Sequence, residues 1–151
     1  MEYISTRNTQ KTFSFKDVFL KGLAPDGGLF VPKKIPVYSP QELKKLKDLS
    51  YRDLAVKIIL KFCSDEFSET EVKDLVENSY KDFRTQDVVV IKKLGKLNLL
   101  ELFHGPTLAF KDIAMQVIGN MYDKILKKNN LKANIVVATS GDTGAAAISA
   151  I

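Results

Sequence analysis

The chain has 151 residues, 45% hydrophobic and 27% charged, enough to bury a core and fold as one domain or one and a half. No apolar run approaches the roughly 18 residues of a membrane span, and Met1-Glu2-Tyr3-Ile4-Ser5-Thr6-Arg7 lacks the basic-then-apolar order of a secretory signal. A net charge of +5 raises nucleic acid as a partner, but the lysines are spread over helix faces with acids between them and no zinc spacing accompanies them, so nucleic-acid, membrane and metal roles are set aside.

The excess charge reads as solvation with some attraction for phosphorylated small molecules. The single cysteine, Cys63, cannot form an internal disulfide and lies in an apolar helical stretch, which suits a buried side chain and a cytoplasmic protein.

The first 36 residues read as irregular or β-rich. Ser14–Leu20 is expected to form a short helix stopped by Gly22. Pro25-Asp26-Gly27-Gly28 is a turn, and Leu29–Pro32 a short extended piece. Three helices follow. Ser39-Pro40-Gln41-Glu42 combines an N-cap, a first-turn proline and a capping-box acid, with Leu43, Leu46 and Leu49 as the apolar stripe. Ser50 caps 51–62, where Leu54, Ile58 and Phe62 share a face. Ser68–Glu71 opens a helix to about Phe83 with Val72, Leu75, Val76 and Tyr80 inward.

From about Thr85 the pattern changes. Val88–Leu94 and Leu97–Phe103, with Gly95 between, predict a hairpin or two neighbouring strands. Residues 110–128 carry a helical repeat, with Ile113, Val117, Met121 and Ile125 aligned. Asn134–Ala138 reads as a buried strand, 140–144 as a loop, and Ala145 onward as a helix. That alternation predicts a parallel α/β sheet. The division is therefore 1–84, a small mainly helical domain, and 85–151, the start of an α/β domain. An unfinished parallel sheet predicts that the chain is a fragment of a longer protein.

Chemistry concentrates in two loops. Lys111 ends the string Phe103-His104-Gly105-Pro106-Thr107-Leu108-Ala109-Phe110-Lys111-Asp112, at a loop-to-helix junction. A free lysine, with a pKa of about 10.4, is almost wholly protonated at neutral pH. Burial and a helix N-terminus favour the neutral amine that attacks an aldehyde, and Phe103 and Phe110 are placed to keep the pocket dry. Surface charge is the alternative reading of Lys111. Asp112 reads as an acid favoured by the helix dipole, against a direct catalytic role.

His104 is read either as a phosphate ligand or proton carrier, or as a ring bonded to a loop carbonyl. Thr107 is either a helix cap or a phosphate ligand. Ser140-Gly141-Asp142-Thr143-Gly144 precedes a helix and is either an anion-binding turn of exposed N–H groups or a plain capping loop. Its spacing matches neither GxGxxG nor a Walker loop.

Taken with Ser5-Thr6-Arg7 and Gly22–Pro32, these two loops make the chain resemble the N-terminal part of threonine synthase, a family of pyridoxal-phosphate (PLP) enzymes of fold type II. The resemblance runs essentially end to end, and the Phe103–Asp112 string is its most specific part. It implies PLP as cofactor, held by Lys111 through a Schiff base, with Phe110 and Asp142 beside it. It implies that Lys111 also shuttles protons, and that the loop Ser140, Gly141, Asp142, Thr143 and Gly144 holds the substrate carboxylate, with His104 and Thr107 as further substrate contacts.

The implied reaction converts O-phospho-L-homoserine and water to L-threonine and phosphate, the last step of threonine biosynthesis. The family's loop for the PLP phosphate has no counterpart here, since the longest glycine run is Gly27-Gly28; the chain alone is expected to be inactive. The alternatives are a threonine-synthase-like phosphoamino-acid lyase and a non-catalytic remnant or binding module. No oligomeric state follows from the sequence.

Overall fold

The computed structural model describes residues 1–151, with six helices and five short strands. They form two compact units, Met1–Leu49 with Asp53–Lys73, and Ser50–Arg52 with Asp74–Ile151.

The first unit is built on a small antiparallel sheet. β1 (Tyr3–Ser5) lies between β2 (Thr12–Phe13) and β3 (Phe30–Pro32), with Tyr3 opposite both Phe13 and Pro32. α1 (Phe15–Lys21) starts where Ser14 accepts the Asp17 N–H at 3.1 Å, and stops at Gly22. The Pro25–Gly28 turn is tied to β1: Asp26 accepts from Ser5 Oγ at 2.7 Å and from the Gly28 N–H at 2.9 Å. α2 (Pro40–Leu46) has the expected capping box, with Ser39 and Glu42 bonded reciprocally. Its apolar stripe is not buried, for Leu43 and Leu49 are exposed.

α3 (Tyr51–Cys63) buries Val56 and Cys63 rather than the Leu54–Ile58–Phe62 face, and Ile58 is exposed. The cause is the aromatic group beneath it. Tyr3 donates to the Phe62 carbonyl at 2.6 Å, and the rings of Tyr3, Phe15 and Phe67 converge, which directs the Cys63 side inward.

In the second unit α4 (Glu69–Tyr80) contributes its 74–80 segment, burying Leu75, Val76, Ser79 and Tyr80. β4 (Val90–Leu94) and β5 (Leu97–Glu101) form the expected hairpin, antiparallel, with Ile91 opposite Leu100. Ile91, Leu94, Leu97 and Leu100 are all more than half exposed. α5 (Asp112–Lys128) buries Asp112, Gln116, Val117, Met121 and Ile125. Two bonds fasten it to α4: Tyr80 Oη donates to the Ile113 carbonyl at 3.1 Å, and Ser79 Oγ to the Gln116 carbonyl at 3.2 Å. α6 (Asp142–Ser149) begins three residues earlier than its sequence pattern suggests and buries Ala146 and Ala147.

The chain is mixed α/β, but both of its sheets are antiparallel. The expected buried strand at Asn134–Ala138 has no ladder partner, and Val136 is 94% exposed. An apolar run becomes a strand only where a neighbour completes its hydrogen bonds, and no segment of this chain does so.

Candidate functional site

The site is assembled where the loop after β5 turns into α5. Lys111 occupies the N-cap position of α5, and its carbonyl accepts from Ala114 and Met115. Its side chain is half-buried, with Nζ 4.3 Å from the centre of the Phe110 ring, and no carboxylate pairs with it. Phe110 and Phe103 are 59% and 51% exposed, so they line an open surface rather than the dry pocket expected of them.

Asp112 organises the loop. It is fully buried, and its carboxylate accepts the Thr107 backbone N–H at 2.8 Å and the Thr107 hydroxyl at 2.6 Å. Thr107 is therefore not the helix cap; its hydroxyl proton is committed to Asp112, and only its oxygen lone pairs are left to accept. Gly105 lies against the same carboxylate, where a side chain would collide with it. Leu108 takes a positive φ of 63°, the bend that returns the chain toward α5.

His104 bonds to neither a loop carbonyl nor Thr107. Its Nε2 lies 2.9 Å from Glu101, which also holds Lys92 Nζ at 2.8 Å. Its own carbonyl accepts from the Arg84 N–H at 2.9 Å, and the Phe103 ring stands 4.8 Å from the imidazole.

The second loop forms around Thr139, whose hydroxyl oxygen accepts the N–H groups of Gly141 at 2.9 Å and Gly144 at 3.1 Å. Gly141 has a φ of 143°, a conformation that favours glycine. Ser140, Asp142 and Thr143 thus sit at the open start of α6, with no side-chain cap there. α6 meets α5 through its far end: Gln116 donates to Ser149 at 3.3 Å, and Gly119 packs on the Ala150 backbone. No hydrogen bond or ion pair joins residues 140–144 to Lys111.

Sequence reasoning brought together Lys111, His104 and Thr107 but missed the groups that hold them. As a dipole acid Asp112 gives no sign of holding Thr107, and Glu101 and Lys92 carry no motif, although an acid closing the apolar run 97–101 is a readable signal.

Residues 2–80, more than half of the chain, match the family model described as "Threonine synthase N terminus". The chain is 42% identical over 149 residues to a threonine synthase of Pseudomonas aeruginosa, covering 98% of this chain and 32% of that protein. It is 40% identical over 153 residues to "Threonine synthase-like 2" of Xenopus laevis, covering 100% of this chain and 32% of that protein. Its fold superimposes on a crystal structure of PLP-bound threonine synthase from Brucella melitensis with a TM-score of 0.94 at 40% identity, over 99% of this chain and 32% of that one. The chain spans about a third of the length of these relatives. On the family match, supported by these likenesses, the chain belongs to the threonine synthase N-terminal family.

Proposed function

We propose that these residues are the N-terminal part of a threonine synthase of the PLP fold type II class, which converts O-phospho-L-homoserine and water to L-threonine and phosphate in the cytoplasm, without nucleic-acid or membrane partners. The observation that carries the reading is the Lys111 amine, free of ion pairs and presented at the start of α5 beside a loop pinned by a buried acid. That arrangement fits the aldehyde end of PLP, which needs an amine not committed to an ion pair. No loop of this chain is assigned to the cofactor's phosphate.

PLP, when bound, supplies the electron sink that acidifies the substrate's Cα and Cβ protons. Lys111 Nζ is the point of attachment and then the base that moves those protons. Phe110, whose ring lies 4.3 Å from that amine, and Asp142, at the start of α6, would be the further residues to hold the cofactor. The Ser140–Gly144 loop holds the substrate carboxylate through the N–H groups of Asp142 and Thr143 and the Ser140 side, while Gly141 and Gly144, whose N–H groups go to Thr139, shape the turn. His104 contacts the substrate's phosphate, and Thr107 holds that loop and accepts a bond from the substrate. By function the division is 1–84 as the N-terminal domain and 85–151 as the start of the PLP-binding one, with 74–84 packing in the second compact unit.

Borohydride reduction of the intact protein in the presence of PLP, followed by peptide mass mapping, tests this reading. The label should fall on Lys111 and vanish in Lys111→Ala. A label on another lysine, with Lys111 unmodified, overturns it.

The 40% identity to "Threonine synthase-like 2" of Xenopus laevis favours a second reading, a phosphoamino-acid lyase sharing Lys111. Product analysis of the intact protein separates the two, as threonine or as a 2-oxo acid.

A further inference from the structure

Glu101 is an acid in the apolar strand β5, with a side chain only 6% exposed. A carboxylate removed from water is tolerated only when it is paired. Here one oxygen takes Lys92 Nζ at 2.8 Å from β4, and the other takes His104 Nε2 at 2.9 Å. The Lys92 bond, with the His104 bond behind it, holds the Glu101 carboxyl below the usual carboxylate range against the opposing effect of burial.

An ionised carboxylate has no proton to give, so in this pair His104 Nε2 is the donor. The neutral ring then carries its proton on Nε2, and any second proton goes to Nδ1. Nδ1 bonds to no protein group. The ring is further restrained by the Arg84 N–H on the His104 carbonyl and by the Phe103 ring beside it. The charged groups facing the imidazole are thus Glu101 from β5 and, behind it, Lys92 from β4; Arg84 contributes its backbone N–H.

We infer that Glu101 is a positioning residue for substrate recognition: braced by Lys92, it locks His104 through Nε2 and leaves Nδ1 as the ring's one open contact, a protonatable donor for an anionic phosphate-type oxygen. The inference rests on the reading of His104 as a substrate contact. Phosphate oxygens accept and never donate at full ionisation, so a ring whose free nitrogen is charged by proton uptake matches them, with Glu101 balancing that charge from behind. A histidine that merely filled space would need neither the fixed tautomer nor the paired acid.

His104 is the only histidine of the chain, so one imidazole signal reports on it in the nitrogen-15-labelled protein. The neutral form should be the Nε2–H tautomer. Inorganic phosphate should shift the Nδ1 resonance of the unsubstituted chain and act more weakly on Glu101→Gln.

An Nδ1–H tautomer, an equal phosphate response in Glu101→Gln, or no response of Nδ1 to phosphate each overturns the inference. Those failures leave the labelling of Lys111 untouched, so they are distinguishable from failure of the threonine synthase reading. Should Glu101→Gln not fold, the tautomer and phosphate response of the unsubstituted chain still decide the matter.

Discussion

The carboxylate of Asp112 closes a ring with Thr107, accepting both its N–H and its hydroxyl while sealed from solvent. The residue beside the candidate amine therefore fixes the loop that carries His104. Asp112→Ala leaves a backbone donor without a partner and should cost about 2 kcal/mol, within the range for an unsatisfied buried group. Urea unfolding measures the loss, and amide exchange at Thr107 should accelerate. Asp112→Asn, which keeps the shape, should lose less.

Gly105→Ala places a methyl group against the Asp112 side chain. The ring must open or shift, at roughly 1–3 kcal/mol for overpacking. The expected signature is a destabilised chain in which the His104 imidazole resonance moves; an unchanged spectrum would show that the loop gives way freely.

Gly119→Ala meets the Ala150 carbonyl, which is backbone and has little room to yield. α6 should separate from α5. Hydrogen exchange at the buried Ala146 and Ala147 amides should rise steeply, while exchange in α4 stays slow.

Alkali should weaken the first unit before the rest of the titration. Burial, with Asp65 nearby, pushes the Cys63 thiol up to about 12 from 9.0, and pushes Tyr3 to about 12 from 10.0. The unfolded chain loses these protons first, so stability is full below pH 9 and falls as pH rises toward 12. Burial raises Tyr80 as well, in the same direction. Glu101 works at the opposite end. Its folded pKa lies below the ordinary 4.5, so its contribution is present above that pH and is lost as pH falls through the lowered value. Circular dichroism across both limbs, with Cys63→Ala shifting the alkaline onset upward, checks the assignment.

The 151-residue chain mixed with PLP should give neither the visible absorbance of a lysine-bound cofactor nor threonine from O-phospho-L-homoserine. Stable colour with turnover would show that residues 1–151 suffice.

Local signals were legible where local chemistry decides. Ser39 and Glu42 announced their capping box, Gly95 its reversal, and Val72, Leu75, Val76 and Tyr80 the inward face of α4. Faces set by distant partners were not. Periodicity favoured Leu54, Ile58 and Phe62 on α3, but ring packing around Tyr3 selected Val56 and Cys63. The apolar run 134–138 suggested a strand, yet pairing is a property of two segments, and here only one is present. At the site, motif and position drew attention to Lys111 and His104, whereas the supporting acids became visible only once the loop was folded around them.

The uncovered residues of the hairpin and of the 131–137 segment govern how this polypeptide behaves in a tube. Ile91, Leu97 and Val136 offer greasy contacts to neighbouring molecules, held apart at neutral pH by mutual repulsion from a charge of +5. Rising ionic strength screens that repulsion, and sulfate also strengthens the apolar attraction. Clarity in dilute low-salt buffer should therefore give way to turbidity on salting, and solubilising substitutions belong at Ile91 and Val136.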